Sequence, residues 1–391
     1  MSKLRTIMWI CLLAVSCPAL VQAAEGRIPI PFESPVTFPI IIDEGGHYFL
    51  TRDLTSASGT VVSITDTADT VVLDLNGFTL SSGDATGPVI SIVASLGGQT
   101  ATVLNGFVSG GQDGVWANRP VVIDNVSVSG SGRHGISIDG YDAVVRGCQV
   151  TDTVETGILY NGRDSSDAHI TNNTIRNPVG VDGIGVSSSK GGSLIEGNTI
   201  TSVTEVNIHL TFTNNATVSK NRLVGGGNRV VYLDRCYNVR VEDNTIQGPA
   251  DTCIDLEATH SSNIAGNHVK ECTIGMALRP ISTNLSAGNF LADNVVADCT
   301  SGGIVLEDSH LNLFANNLVL FNRGGWGVWL QSPSQNNTFR ANTIYWNQGG
   351  PASNCSGWAT DNEFCDESSL TQWDQNFSAG DNLMPPWLGP L

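Results

Sequence analysis

The sequence predicts an all-β solenoid, a single coil of short strands stacked in turns of roughly 23 residues. Three observations predict it: a recurring Asn, a short apolar alternation in phase with that Asn, and 43 glycines spread along the chain. The Asn is followed after one residue by an apolar residue at Asn173, Asn198, Asn221, Asn244, Asn267, Asn294, Asn317 and Asn342. A repeat of this length is too short for a pair of helices, whereas it suits three short strands and three bends.

The apolar alternation defines the first strand of each turn. It reads "HGISI", "TGILY", "DGIGV", "VNIHL", "RVVYL", "TCIDL", "IGMAL", "GGIVL" and "WGVWL" in successive repeats. A period of two predicts a strand with one buried face, and stacked copies of such a strand lie about 4.8 Å apart. The Asn side chains can then bond to their copies in the next turn as a ladder. We expect Cys148, which keeps the same step upstream, to fill a ladder position as a small buried residue.

The segment from "TVVLDLNGFTL" at residue 70 to "ANTIYWN" near residue 347 resembles the right-handed parallel β-helix repeat family. This family includes pectate-lyase-like and carbohydrate-binding or sugar-hydrolysing repeat proteins. The resemblance implies a single-stranded right-handed parallel β-helix of about 10–12 coils with an Asn ladder. We expect an N-terminal cap with entering strands at 24–60, the β-helix at 61–350 and a C-terminal cap at 351–391.

The first 23 residues predict a cleavable signal peptide, because a basic start precedes a short apolar run and a small-residue cleavage site at Ala23. The mature protein is therefore expected to be secreted or periplasmic, with no membrane span. The net charge of −18, from 19 basic and 37 acidic residues, argues against a nucleic-acid partner. The sequence leaves the oligomeric state open.

Seven cysteines follow the predicted signal peptide, so at least one thiol remains unpaired. Cys272 and Cys299 occupy like positions in successive turns, so we expect them to pair or stack, and we predict a disulfide between them. Cys355 and Cys365 are close enough in sequence to close a second disulfide in the C-terminal cap.

The alternation also predicts which side chains face outward. Since the Ile and Leu positions of each first strand are apolar in nearly every turn, the residues between them must point out. From one turn to the next these outward residues are His209, Tyr232, Asp234, Asp255, Glu257, Arg279, Glu307, Trp329 and Gln331. Carboxylates on adjacent strands repel, so this exposed patch requires a cation, a shared proton or a neighbouring Arg.

The stretch "IDLEATHSSNIAGN…MALRP" is loosely similar to the calcium-dependent alginate and chondroitin lyases. The resemblance implies that Asp255 and Glu257 are acidic ligands and that Arg279 is the Arg of the next turn. No Lys fills the position of the base, where Thr259 and His260 are nearest.

These observations give three sets of candidate residues. The catalytic set is His209, Tyr232, Asp234, Asp255, Glu257 and Arg279. The substrate-binding set is Trp329, Glu307, Gln331, Arg235 and His260. The candidate Ca²⁺ ligands are Asp234, Asp255 and Glu257, because Ca²⁺ prefers oxygen donors.

The chemistry that these residues favour is that of a polysaccharide lyase or C5-epimerase acting on a uronate-containing polysaccharide. Both reactions need a base such as His, an acid such as Tyr and an Arg or cation on the uronate carboxylate. A glycoside hydrolase that uses paired carboxylates is an alternative. A non-catalytic glycan-binding or surface repeat protein is another, and the partner in every case is a polysaccharide or oligosaccharide.

Overall fold

The computed structural model describes residues 26–365, apart from 33, 66, 95–98, 164–165, 324, 332–333, 346, 348–351 and 355–362. The described part is all β, and no helix in it is long and apolar enough to cross a membrane. Its strands β1 to β40 are, in chain order, Arg27–Ile30, Ile40–Ile42, Gly46–Leu50, Leu54–Ser56, Val62–Ile64, Val71–Asp74, Thr79–Ser82, Ile90–Ile92, Ala101–Gly110, Val115–Ala117, Val121–Ser129, Ile136–Asp139, Ala143–Arg146, Gln149–Thr151, Ile158–Asn161, Ala168–Thr171, Thr174–Arg176, Asp182–Ser187, Leu194–Glu196, Thr199–Thr201, Val206–Thr211, Thr217–Ser219, Arg222–Val224, Arg229–Asp234, Arg240–Glu242, Thr245–Gln247, Thr252–Glu257, Asn263–Ala265, His268–Lys270, Ile274–Arg279, Phe290–Ala292, Val295–Ala297, Gly302–Glu307, Leu313–Ala315, Leu318–Leu320, Val328–Gln331, Thr338–Arg340, Thr343–Tyr345, Ala352–Asn354 and Glu363–Cys365.

The strands stack in parallel columns. One column is a 14-stranded sheet, here called the site sheet, made of β2, β5, β8, β10, β12, β15, β18, β21, β24, β27, β30, β33, β36 and β39. The other 26 strands form a second sheet whose members pair in two columns. A turn therefore runs from β27 in the site sheet through β28 and β29 to β30, again in the site sheet. The predicted fold is confirmed as a parallel β-solenoid, with about 13 turns instead of 10–12.

The predicted Asn ladder is present in the interior. Each buried Asn from Asn173 to Asn317 donates from Nδ2 to Oδ1 of the next one at 2.9–3.0 Å. Cys148 is buried at the head of this ladder and donates its backbone N–H to Asn173 Oδ1 at 2.9 Å. Two further ladders were not predicted, one through Asn289, Asn312 and Asn337 and one through Asn322 and Asn347. The ladders satisfy polar groups that would otherwise be stranded in the core.

Strict alternation of inward and outward side chains fails near the start of several strands of the site sheet, at the same position in each. In β24 both Val230 and Val231 are fully buried, and in β27 both Cys253 and Ile254 are. The same two consecutive positions, here called the inward pair, are buried as Gly183–Ile184 in β18, Asn207–Ile208 in β21 and Gly275–Met276 in β30. Because one extra residue turns inward, the residue before the pair returns to the outer face.

The inward pair also corrects the predicted disulfide. The bond joins Cys253 to Cys272, with Cα atoms 5.9 Å apart, and Cys299 is a buried free thiol. Cys272 and Cys299 do occupy like positions in successive turns, and the free Cys299 thiol donates to the carbonyl oxygen of Ala297 at 3.5 Å. Cys253 instead faces Cys272 across the turn as the first member of an inward pair. The next turn has Gly275 at that position, so Cys299 meets no second thiol.

Three expectations concern residues outside the described part. The predicted signal peptide and most of the C-terminal cap lie there. So does Cys355, and the predicted bond between Cys355 and Cys365 remains a prediction. The predicted domain limits also remain predictions.

Candidate active site

The register of the site sheet brings the predicted outward residues together. In one column His209 pairs with Tyr232, and Tyr232 pairs with Asp255. In the neighbouring column Asp234 pairs with Glu257, and Glu257 pairs with Arg279. Side chains that are far apart in sequence therefore share one face of four adjacent strands, β21, β24, β27 and β30.

Asp255 is at the centre of this face but is not exposed, contrary to the expectation from the sequence. Its relative exposure is 0%, because two arginines cover it. Arg229 Nε donates to Asp255 Oδ2 at 2.7 Å, and Arg279 Nη1 donates to the same oxygen at 2.8 Å. Oδ1 has no hydrogen-bond partner within the described residues. Burial raises the pKa of Asp255, against the lowering effect of Arg279 and Arg229.

Glu257 is held by Arg229 and Tyr232. Arg229 Nη2 donates to Glu257 Oε1 at 2.6 Å, and the Tyr232 hydroxyl donates to Oε2 at 2.5 Å. The Arg229 guanidinium also lies over the Tyr232 ring, 4.1 Å from its centroid. Burial, and then the bond to Glu257, raise the pKa of Tyr232. The phenol therefore keeps its proton at neutral pH.

His209 is oriented on both ring nitrogens. Nδ1 lies 3.2 Å from Oδ2 of the buried Asp182, and Nε2 lies 2.8 Å from the Thr211 hydroxyl. A carboxylate only accepts, so Asp182 favours the tautomer that carries its proton on Nδ1. Nε2 then has a lone pair on the outer face. The ring stacks on Tyr232 with centroids 4.7 Å apart and planes 24° apart.

Asp234 has its own arginine. Arg235 Nε and Nη2 bind the two carboxylate oxygens of Asp234 at 2.8 and 2.7 Å. Arg235 has a positive φ of 53°, which turns its side chain back over the end of β24 and onto the exposed Phe212 ring at 4.2 Å. The predicted repulsion between Asp234 and Glu257 is thus relieved by two different arginines.

The predicted calcium ligands do not fit a metal centre in this arrangement. Asp234, Asp255 and Glu257 direct their oxygens to arginines, whose charges compete with a cation. In the part of the chain that the structure describes, no group of three or more His, Cys, Asp or Glu residues could hold a metal ion.

The predicted substrate-binding residues surround this cluster more loosely. Glu307 Oε1 lies 3.5 Å from Arg279 Nε. Trp329 and Gln331 are partly buried on β36, and Trp329 pairs in register with Val305. His260 lies past the end of β27, where it bridges to Tyr237 and Ala287.

Two residues of the site were missed from the sequence, Arg229 and Asp182. Each is the residue immediately before an inward pair, so strict alternation places it inside the coil. A signal was available in the sequence, since a core position is a costly place for a charged side chain. Strict alternation assigns Arg229 and Asp182 to such core positions, whereas the structure places both on the outer face.

Comparison with known families and structures agrees with the fold. Residues 121–289 match the model of the family described as periplasmic copper-binding protein (NosD), and residues 271–379 match that of the right handed beta helix region. No curated protein sequence matches the chain at a significant level. The chain therefore has the parallel β-helix fold of the proteins that these two models describe.

Solved structures with this fold include carbohydrate-active proteins. The A-module of mannuronan C-5 epimerase AlgE6 from Azotobacter vinelandii is similar, with a TM-score of 0.53 and 12% identity over 80% of this chain and 92% of that chain. The AlgE4 A-module gives 0.51 and 11% over 79% and 91%. The Dettilon tailspike protein gives 0.55 and 13% over 78% of this chain and 62% of its own. At these identities the likeness concerns the fold.

Proposed function

We propose that this protein acts on a uronate-containing polysaccharide as a lyase or C5-epimerase. The observation that carries the proposal is the stacked pair of His209 and Tyr232, with the arginine pair Arg229 and Arg279 on the same face. Base, acid and cation are the three groups that abstraction of a proton next to a carboxylate requires.

His209 is the base in this proposal. Asp182 holds the Nδ1–H, so Nε2 presents the lone pair and exchanges its contact with Thr211 for the substrate C5–H. Arg279 keeps 21% of its side-chain area exposed and neutralises the uronate carboxylate. That charge stabilises the carbanion left at C5 when the proton moves to Nε2.

Tyr232 is the acid, because it is protonated and lies directly against the base. In a lyase the C4–O bond breaks, the leaving oxygen takes the Tyr232 proton and an unsaturated uronate remains. In an epimerase no bond to oxygen breaks, and C5 receives a proton on the face opposite to the one that lost it. Glu257, bonded to the Tyr232 hydroxyl, relays a replacement proton in either case.

The burial of the carboxylates favours this chemistry over glycoside hydrolysis. A hydrolase needs two carboxyl groups in contact with the glycosidic bond. Asp255 has no exposed surface, and both Glu257 oxygens are engaged by Arg229 and Tyr232. These two groups position the arginines and the phenol instead of touching the sugar.

Copper binding is a second candidate, favoured by the match of residues 121–289 to the copper-binding protein family. The thiols of the described part offer it little support. Cys253 and Cys272 are joined in a disulfide, and Cys148, Cys236 and Cys299 are buried free thiols. Titration of the purified protein with Cu(I) and Cu(II), followed by calorimetry, tests this candidate separately.

The main test is a panel of polyuronates incubated with purified protein in D₂O. A lyase gives an ultraviolet-absorbing product, and an epimerase gives deuterium at C5 with a changed uronate ratio by NMR. A hydrolase gives only new reducing ends. We expect His209→Gln and Tyr232→Phe to lower the rate by about a hundredfold or more.

Matched controls distinguish chemistry from folding. His268 and Tyr237 are exposed residues outside the cluster, so His268→Gln and Tyr237→Phe should retain full rate. Asp182→Asn should lower the rate by about tenfold and change the pH–rate profile, since it alters the partner of His209 Nδ1. Full activity in His209→Gln, or no change in any polyuronate, would rule the proposal out.

The family match and the disulfide also agree with an exported protein. We propose a periplasmic or secreted location, tested by fractionation of cells that carry the full-length chain. Retention of residues 1–23 in the mature protein, measured by mass spectrometry, would contradict it.

A further inference from the structure

A cavity of about 330 Å³ lies on the second sheet, far along the chain from the proposed active site. Nine residues line it, among them Asn105, Phe107, Asn125, Ser127 and Gln149. These residues belong to turns that precede every residue of the candidate active site. The volume is at the lower end of the range for pockets that hold small molecules.

The cavity forms where three successive turns bend without a ladder Asn. The ladder position is occupied here by Gly106, Val126 and Cys148, while the bends carry Asn105 and Asn125 in left-handed backbone conformations, with φ of 59° and 54°. Strands β9 and β11 run through these bends and pair in register on both sides of them. Because the amides point out here instead of in, the outer surface of the coil gains polar groups.

Phe107 provides an apolar wall to this cavity. Its relative exposure is 50%, and it projects from the outer face of β9 between two buried neighbours, Gly106 and Val108. An aromatic ring held on a strand in this way presents a flat apolar face to the solvent. Such a face can stack on the apolar C–H face of a sugar ring.

Carboxamides provide the polar rim. Asn125 and Asn105 both line the cavity, and Asn125 Nδ2 donates to Asn105 Oδ1 at 3.2 Å, so that this bond does not use Asn125 Oδ1. Within the described residues the Gln149 side chain makes no hydrogen bond, and Ser127 lies between it and Phe107 in the same register column. Amides and hydroxyls in such an arrangement match the donors and acceptors of sugar hydroxyls.

The nine lining residues carry no charge. The proposed active site, by contrast, has arginines for a uronate carboxylate. A charged sugar would lose its hydration in this cavity without gaining a counter-ion, whereas a neutral sugar loses nothing comparable.

We infer that this cavity is a second saccharide-binding site, which takes a neutral sugar unit stacked on Phe107 with its hydroxyls on Asn125 and Gln149. The inference is independent of the lyase or epimerase proposal, since the two sites share no residue. A protein with both sites would bind a neutral part of a glycan at the cavity and act on a uronate unit at the proposed active site.

The test measures binding of neutral trisaccharides (cellotriose, maltotriose and xylotriose) and of a uronate trisaccharide to the full chain. Saturation-transfer NMR and calorimetry are applied to the wild type, Phe107→Ala, Phe107→Trp, Gln149→Ala and the control Phe290→Ala. Phe290 is an exposed phenylalanine on β31 and lies outside the cavity. Thermal unfolding of each variant checks that the coil is intact.

We expect at least one neutral trisaccharide to bind, with affinity reduced about tenfold by Phe107→Ala and unchanged by Phe290→Ala. Phe107→Trp should retain binding, and its indole fluorescence should change on addition of the sugar. His209→Gln should leave this binding unaltered, which separates it from the proposed active site. Absence of binding by all three neutral sugars, or undiminished binding in a folded Phe107→Ala variant, would overturn the inference.

Discussion

The Asn ladder and the arginine–carboxylate cluster are both rows of polar side chains that repeat once per turn, yet they solve different problems. Each ladder Asn donates and accepts, so identical neutral residues satisfy one another along the row. The cluster mixes Arg229, Asp255, Glu257 and Arg279 in a row that no single residue type could satisfy.

The difference separates a row that stabilises the fold from a row that forms the candidate active site. The side-chain amides of the ladder are buried and bonded to one another, so they are not available to bind a ligand. The cluster buries Asp255 between two arginines, where burial raises its pKa, and it leaves Asp255 Oδ1 without a hydrogen-bond partner in the described residues. Such a costly arrangement is typical of a functional site.

The largest effect is expected from breaking the ladder with Asn244→Ala. Asn244 accepts from Asn221 N and Nδ2 at 2.9 and 3.0 Å and donates to Val218 O at 2.9 Å. Removing it strands three buried groups, which should lower the free energy of unfolding by about 4 kcal/mol. Urea denaturation measures this loss, and the exposed Asn228→Ala serves as its control. A loss as small as that of the control would show that the ladder is dispensable.

The next largest effect is expected from Arg229→Met, which tests whether the cluster is also part of the framework. The substitution leaves Asp255 buried with Arg279 alone and removes one partner of Glu257. We expect a loss of about 3 kcal/mol in the free energy of unfolding, because a buried charge loses its partner. The exposed Arg222→Met is the matched control. Equal stability of the two variants would mean that Arg279 suffices.

The pH dependence of stability separates the cluster from the neutral ladder. Since the pKa of Asp255 is raised in the folded state, the native protein keeps this proton after the unfolded chain has lost it. Through this group, stability therefore falls as pH rises from the ordinary value of 3.8 to the raised folded value. Relative to Asp255→Asn, the wild type should lose stability across that window. A wild-type advantage that grows with pH would show that the arginines lower the pKa instead.

The smallest effect is expected at the edge of the cluster, from Arg235→Gln. Its side chain is 40% exposed, so its ion pair with Asp234 is hydrated and screened by salt. We expect a slight fall in melting temperature in dilute buffer that disappears in about 1 M salt. A fall that persists at high salt would place Arg235 with Arg229 as a structural partner.

The fold could be predicted because its signals are local and repeated. A ladder Asn and a two-residue alternation are visible in one turn, and every further turn confirms them. The column that contains His209, Tyr232 and Asp255 followed from the same counting. Cys148 could also be assigned to a ladder position from its spacing alone.

The errors came from one irregularity, the inward pair, which strict alternation does not include. The inward pair placed Arg229 and Asp182 on the outer face, which strict alternation excluded. It also directed Cys253 to Cys272, so that Cys299 remained a thiol. The burial of Asp255 could not be predicted either, since it depends on how the long side chains of Arg229 and Arg279 fold over the sheet.

The inward pair also determines which changes of chain length the protein can tolerate. Deleting one residue from β27 would exchange the faces of its side chains and turn Asp255 toward the core. Deleting a whole turn would keep every face and shift only the neighbours of each column. A whole turn is thus the unit that can be added or removed without exchanging the inward and outward faces of the remaining strands.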